Sequence, residues 1–162
     1  MPRYIYDHEV TITDNDGIFV DVEFLETREA LRELEPRRLF PITGLDGFIT
    51  LLDSEGSEQA IIRNIYDLPD AAREVIERSL EEYYMIPRIQ RFVKMAENFD
   101  IWMWTVETDR GVYTFEIRNH NTAIKPLFDG RVLIKDANDN RYEIPDVRQL
   151  DKQSQRMILP NL

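Results

Sequence analysis

From Trp102 to Arg118 the chain reads WMWTVETDRGVYTFEIR, with large apolar and polar residues alternating on both sides of Thr108-Asp109-Arg110-Gly111. A period of two interrupted by a turn tetrapeptide predicts a β-hairpin. If those four residues close it, Glu107 faces Val112 and Trp102 faces Ile117. Trp102, Trp104 and Val106 then share a face with Tyr113, Phe115 and Ile117, while Met103, Thr105, Glu107, Thr114 and Glu116 take the other. A slip of one residue would bury carboxylates and expose both indoles, so burial sets the register. At about 1.5–3 kcal/mol for each buried large side chain, this hairpin is expected to sit at the centre of the core.

Three more hairpins are expected along the chain. Val10 to Val22 turns at Asp14-Asn15-Asp16-Gly17, and Phe48 to Arg63 turns at Asp53-Ser54-Glu55-Gly56. Val132 to Ile144 turns within Asp136-Ala137-Asn138-Asp139-Asn140. Between them, Ala30, Leu31 and Leu34 after Thr27 predict a short helix stopped by Pro36. Asp67, with Asp70 three residues on, predicts the cap of a helix whose Ala72, Val75, Ile76, Leu80 and Tyr83 recur at helical spacing until Pro87. IPRIQRFVKM is expected to form a strand entering the central hairpin, Asn119 to Thr122 a loop, and the residues after Asp151 a short helix burying Met157 and Ile158.

Taken together these elements predict an α+β fold: about four antiparallel hairpins with two or three short helices packed alongside. Residues 1–36 are expected to form an N-terminal extension and residues 37–162 the main domain. Asp53 and Asp136, Ile61 and Ile144, and Leu68 and Leu150 occupy corresponding places, with one residue deleted between the anchors. Either a duplication or two uses of one hairpin-plus-helix unit accounts for this.

Composition narrows the function classes. Twenty Lys and Arg against 31 Asp and Glu give a formal charge of -11, which opposes a nucleic-acid backbone or an anionic membrane as partner. Without cysteine there is no disulfide, thiolate metal site or thiol nucleophile. The opening MPRYIYDHEV has no long apolar run, and no stretch reaches the length of a bilayer span. A cytoplasmic protein is expected, peripheral to the inner membrane only through a protein partner and not inserted directly.

Motifs with chemistry are scarce. Asp136 to Asn140 opens like a calcium loop, but Arg141 stands at the glycine position and Val147 at that of the bidentate Glu, so a turn is the expected reading. His8 and His120 are the only histidines and lack companions at ligand spacing. No phosphate-cradling loop or nucleophile elbow is present. No catalytic residue, cofactor or metal is therefore assigned. The partner-binding candidates are Arg110 at the central hairpin tip, with Glu107 and Asp109 beside it, and Arg88 and Arg91 in the one basic cluster, where Lys94 also lies. That cluster would alternatively pair with the Glu-rich helix before it. Trp102, Trp104, Tyr83 and Tyr84 would make either a stacking platform or core, and the register favours core for the tryptophans.

Four segments, LFPITGLDGFITLLDSEG, IYDLPDAAREVIERSLEEYYMIPRIQRF, WTVETDRGVYTFEIR and DGRVLIKDANDNRYEIPDVRQLDKQSQRMI, stand in this order over residues 37–159. Read together, they resemble a bacterial family of unknown function labelled cyanophycin metabolism-associated in some members and ABC-transporter-associated in others. The resemblance carries no catalytic residue over to this chain. It implies a non-enzymatic accessory or regulatory subunit of an ABC-type transporter. Two alternatives stand beside it: a binding module for cyanophycin, an Arg-rich polymer that would suit the acidic surface, and a hydrolase using paired carboxylates such as Glu107 and Asp109.

Overall fold

The computed structural model describes residues 3–5, 10–39 and 47–162, which divide into two units, Met1–Met85 and Ile86–Leu162. Its first unit holds β1 (Arg3–Ile5), β2 (Val10–Asn15), β3 (Phe19–Phe24), β4 (Ala30–Arg38), β5 (Gly47–Leu52), β6 (Glu58–Asn64) and α1 (Asp70–Met85). These strands form one mixed sheet in the order β1-β6-β5-β4-β3-β2, antiparallel except where β1 runs parallel to β6. The second unit holds β7 (Ile89–Asn98), β8 (Ile101–Thr108), β9 (Gly111–Ile117), α2 (His120–Ala123), β10 (Ile124–Pro126), β11 (Val132–Lys135), β12 (Arg141–Ile144) and α3 (Lys152–Ile158). Its strands make two antiparallel sheets, β7-β8-β9 and β10-β11-β12.

The α+β expectation is overturned: this is a β-rich fold built of continuous sheets, and the helices are few and short. The expected helix after Thr27 is strand β4. Val22 pairs with Leu31 and Val20 with Leu34, so β4 carries one extra residue, a bulge. That residue resets the alternation and turns Leu31 and Leu34 to the same side, which imitates helical spacing. The bulge is held by Glu33, in the left-handed region at φ 54°, whose N–H donates to Asp21 Oδ1 at 2.9 Å. β4 continues through Pro36 to pair with β5, so residues 36 and 37 are consecutive strand residues. The other departures are smaller. α1 begins at Asp70, with Asp67 ending a 3-10 turn (Ile65–Asp67) before it, and the expected loop at Asn119 to Thr122 includes α2 and leads into β10.

Each unit has its own core. In the first, α1 lies on β2, β3 and β4 and buries Ala72, Ile76 and Leu80 among Val20, Val22, Leu34, Ile49 and Ile62. Ser79, also buried, donates its hydroxyl to the Ile18 carbonyl at 2.6 Å. In the second, the central hairpin pairs Trp102 with Ile117 and Glu107 with Val112. Trp104 is fully buried, with Phe92 and Phe115 edge-on against its ring, and Phe115 stacks on Tyr142 at 4.1 Å. α3 docks on β7, where Ser154 Oγ accepts the Phe92 N–H that a register shift in β7 releases (2.8 Å).

The two units share local construction. Asp53 Oδ1 accepts the N–H groups of Glu55 and Ser57, and Asp136 Oδ1 those of Asn138 and Asn140, all at 2.8–2.9 Å. Their second oxygens accept Gln59 Nε2 and the Tyr142 hydroxyl, at 2.9 and 3.1 Å. After the returning strand, Asn64 and Asp146 cap 3-10 turns by accepting the N–H of Tyr66 and Arg148, both at 2.9 Å. Buried Leu68 and Leu150 close those turns. In each unit a residue near the start pairs parallel with the returning strand, Arg3 with Ala60 and Arg88 with Glu143.

The loops differ in what stands behind the aspartate. Burial and then the Asp136 carboxylate push the Tyr142 hydroxyl to titrate well above a free phenol. Asp136→Ala is expected to cost about 1–3 kcal/mol in urea unfolding, and more than Asp53→Ala, because it strands a buried hydroxyl whereas half-exposed Gln59 can turn to water. Equal losses at the two loops would contradict this.

Candidate functional site

A bulged strand and a two-residue loop decide where the candidate residues lie. Asp109 and Arg110 form the tip between β8 and β9, since Thr108 pairs with Gly111, whose φ of 111° suits glycine. Thr108 fastens the loop: its Oγ1 donates to the Gly111 carbonyl (2.8 Å) and accepts the Arg110 N–H (3.0 Å). Register shifts in β7 set Arg91 opposite Glu107 and leave Arg88 beside Asp109. All five candidates, Arg88, Arg91, Glu107, Asp109 and Arg110, thus gather at one end of the β7-β8-β9 sheet.

Two of them form a bidentate pair. Arg91 Nε donates to Glu107 Oε2 at 3.1 Å and Nη2 to Oε1 at 2.7 Å, on the solvent side of the sheet. The planar guanidinium matches the carboxylate fork. Asp109 is committed differently: its Oδ1 accepts the Arg88 N–H at 2.7 Å, and its own N–H donates to the Arg88 carbonyl at 3.0 Å. Within the basic cluster Arg91 thus pairs with Glu107, and Arg88, below, meets Glu143.

Sequence reasoning missed the buried half of this region. Glu143 on β12 faces Arg88 Nε from Oε1 (3.3 Å) and accepts Arg131 Nε at Oε2 (2.6 Å). Glu143 and Arg131 are buried. Alternation had nothing to offer here, because Tyr142, Glu143 and Ile144 are all buried in succession. Glu143 is covered on the remaining side by the parallel bridge to Arg88, where its N–H donates to the Pro87 carbonyl at 3.0 Å.

The remaining candidates separate. His120 Nε2 lies 2.6 Å from Asn161 Oδ1, and because Asn161 Nδ2 donates to the Met157 carbonyl (2.8 Å), Nε2 is assigned as the protonated nitrogen. His8 lies outside the described residues. Trp104 is core and Trp102 half-buried against the His120 ring, while Tyr83 and Tyr84 close α1 beneath Arg37 and Arg38. Among the described residues no three acidic or histidine side chains converge as a metal site, and no helix is long and apolar enough to cross a membrane.

With this geometry in hand, the comparisons place the chain. A family model described as a domain of unknown function (DUF1854) matches residues 31–160, so the chain belongs to that family. No curated protein and no solved structure matches it.

Two outcomes follow from the ion pairs. The hydrogen bonds from Arg91 hold the Glu107 carboxyl below the ordinary glutamate range. A depressed carboxyl stabilises the fold above its unfolded value of about 4.3, and that contribution is lost as pH falls through the lower folded value. Carboxyl NMR should show Glu107 titrating below the free-glutamate value, and Arg91→Leu should raise it back. Glu143→Leu leaves Arg88 and Arg131 without their shared counter-charge and should cost about 3–5 kcal/mol in chemical unfolding.

Proposed function

We propose that the chain is a non-enzymatic accessory or regulatory subunit of an ABC-type transporter, joined to it by protein contact on the cytoplasmic side. The partner surface includes the Asp109-Arg110 tip and the Arg91–Glu107 pair. The resemblance over residues 37–159 supplies the transporter class. The condition of the two carboxylates in the candidate site carries the reading against hydrolysis.

A carboxylate pair that cleaves bonds by acid–base chemistry needs one member kept protonated near neutral pH by a sheltered site. Glu107 faces solvent, is held ionised and is clamped by Arg91, while Asp109 is occupied with the Arg88 backbone. What this end of the sheet offers instead is a stiff display of polar groups on paired strands. Such a display suits recognition, with charge setting partner choice more than affinity.

Affinity capture of the tagged chain from a detergent extract of its native cells, followed by mass spectrometry, tests the proposal. Recovery of an ABC transporter, with an ATPase rate that changes when this subunit is added, is the expected result. Recovery of an arginine-rich polymer in its place, in a salt-sensitive manner, would favour the polymer-binding alternative. A wild-type complex that survives Arg110→Glu together with Arg91→Glu would remove this end of the sheet from the interface.

A further inference from the structure

The hairpin joining β7 to β8 turns through only Phe99 and Asp100, since Asn98 pairs with Ile101. Both residues have positive φ, 52° and 65°, the conformation of a type I′ turn, for which Asn-Gly is the favoured pair. A bulky residue is crowded by its own backbone in that region. Packing does not offset the crowding, because Phe99 is 91% exposed. Ile101 and Met103 follow on the outer face of β8, 37% and 41% exposed. The tip therefore carries three apolar side chains open to water, at the other end of the sheet from Arg110.

Its charge is net acidic: among the described residues Arg118, which follows β9 opposite Ile101, is the cation at this end, and it is paired with Glu116 at 3.2 Å. Glu97 and Asp100 flank the ring in the chain, both are exposed, and neither forms an ion pair among the described residues. From Met95 to Thr108 there is no Lys or Arg. We propose that Phe99 anchors a protein-binding surface at this tip, and that its occupant is a partner protein presenting an apolar pocket bordered by Lys or Arg. Interface energy concentrates in aromatic anchors seated in pockets, and the surrounding charges select the partner. A second copy of the chain would bring an equally acidic tip to a two-fold contact, and an anionic lipid surface would meet the same repulsion. The choice of a protein occupant rests on the accessory-subunit reading; the position of the anchor does not.

The test uses the full chain in three forms: wild type, Phe99→Gly, and a photoreactive benzoylphenylalanine at 99, with the same photoreactive residue at exposed Val112 as reference. Phe99→Gly relieves the left-handed backbone, so its unfolding midpoint should rise by a few degrees while capture of the wild-type partner falls at least tenfold. Crosslinks from position 99 should map to an apolar pocket beside Lys or Arg, and those from 112 should not. A lower midpoint for Phe99→Gly would make Phe99 a structural residue and overturn the proposal. Undiminished capture, or crosslinks only to a second copy or to lipid, would overturn it as well. Crosslinks to such a pocket on a protein other than a transporter would keep the anchor and refute the transporter reading.

Discussion

Each chain reversal has to satisfy backbone N–H groups, and in a chain with six glycines among 162 residues the reversals of the described residues do so largely with carboxylates. Asp14 accepts the Gly17 N–H, Asp21 that of bulged Glu33, Asp53 and Asp136 two each at their hairpin loops, and Asp109 that of Arg88. Asp146 caps a 3-10 turn and Asp151 caps α3. Aspartate also occupies left-handed positions at 16, 100, 129 and 139, where glycine is the usual choice. Much of the negative charge is therefore structural. A net charge of -11 is a weak pointer to a basic partner, and an argument for one has to come from particular acidic groups whose carboxylates are not engaged inside the fold, whatever their backbone does.

What was legible in the sequence follows from the same physics. The central hairpin could be read to the residue because a buried Trp104 makes any other register costly. Strand β4 could not, because a bulge at Glu33 gives Leu31 and Leu34 the spacing of a helix, and the Asp21 side chain that holds the bulge is distant in sequence. β10, three residues long and ending in Pro126, carries no pattern of its own and exists by pairing with β11. At the candidate site the exposed members were found because charged residues beside a turn are visible. The meeting of Arg91 with Glu107 required a register shift in β7 between Phe92 and Lys94, and Glu143 was hidden by three successive buried positions in β12.

The two units show where a common plan was adapted. The Asp-centred loop, the capped 3-10 turn and the parallel bridge recur, yet the bridge meets Ala60 in one and Glu143 in the other. A buried carboxylate between Arg88 and Arg131 contributes little net stability compared with an apolar contact, but it penalises any arrangement that separates them. The triad joins the start of β7 to β12 at the residue, Arg88, whose backbone also meets Asp109.

Strand β1 has a consequence in time. Its three residues pair with Ala60, Ile61 and Ile62, so it leaves the ribosome well before the strand it needs. Closing that span costs chain entropy that no local contact returns, which makes β1 the natural last piece of its sheet. Until it docks, β6 presents an open edge of unpaired N–H and C=O groups, a surface on which nascent chains can stick to one another. The brevity of β1 then has a use: it covers Ala60 to Ile62 and leaves as the new edge a strand of only three residues, a poor template for another chain.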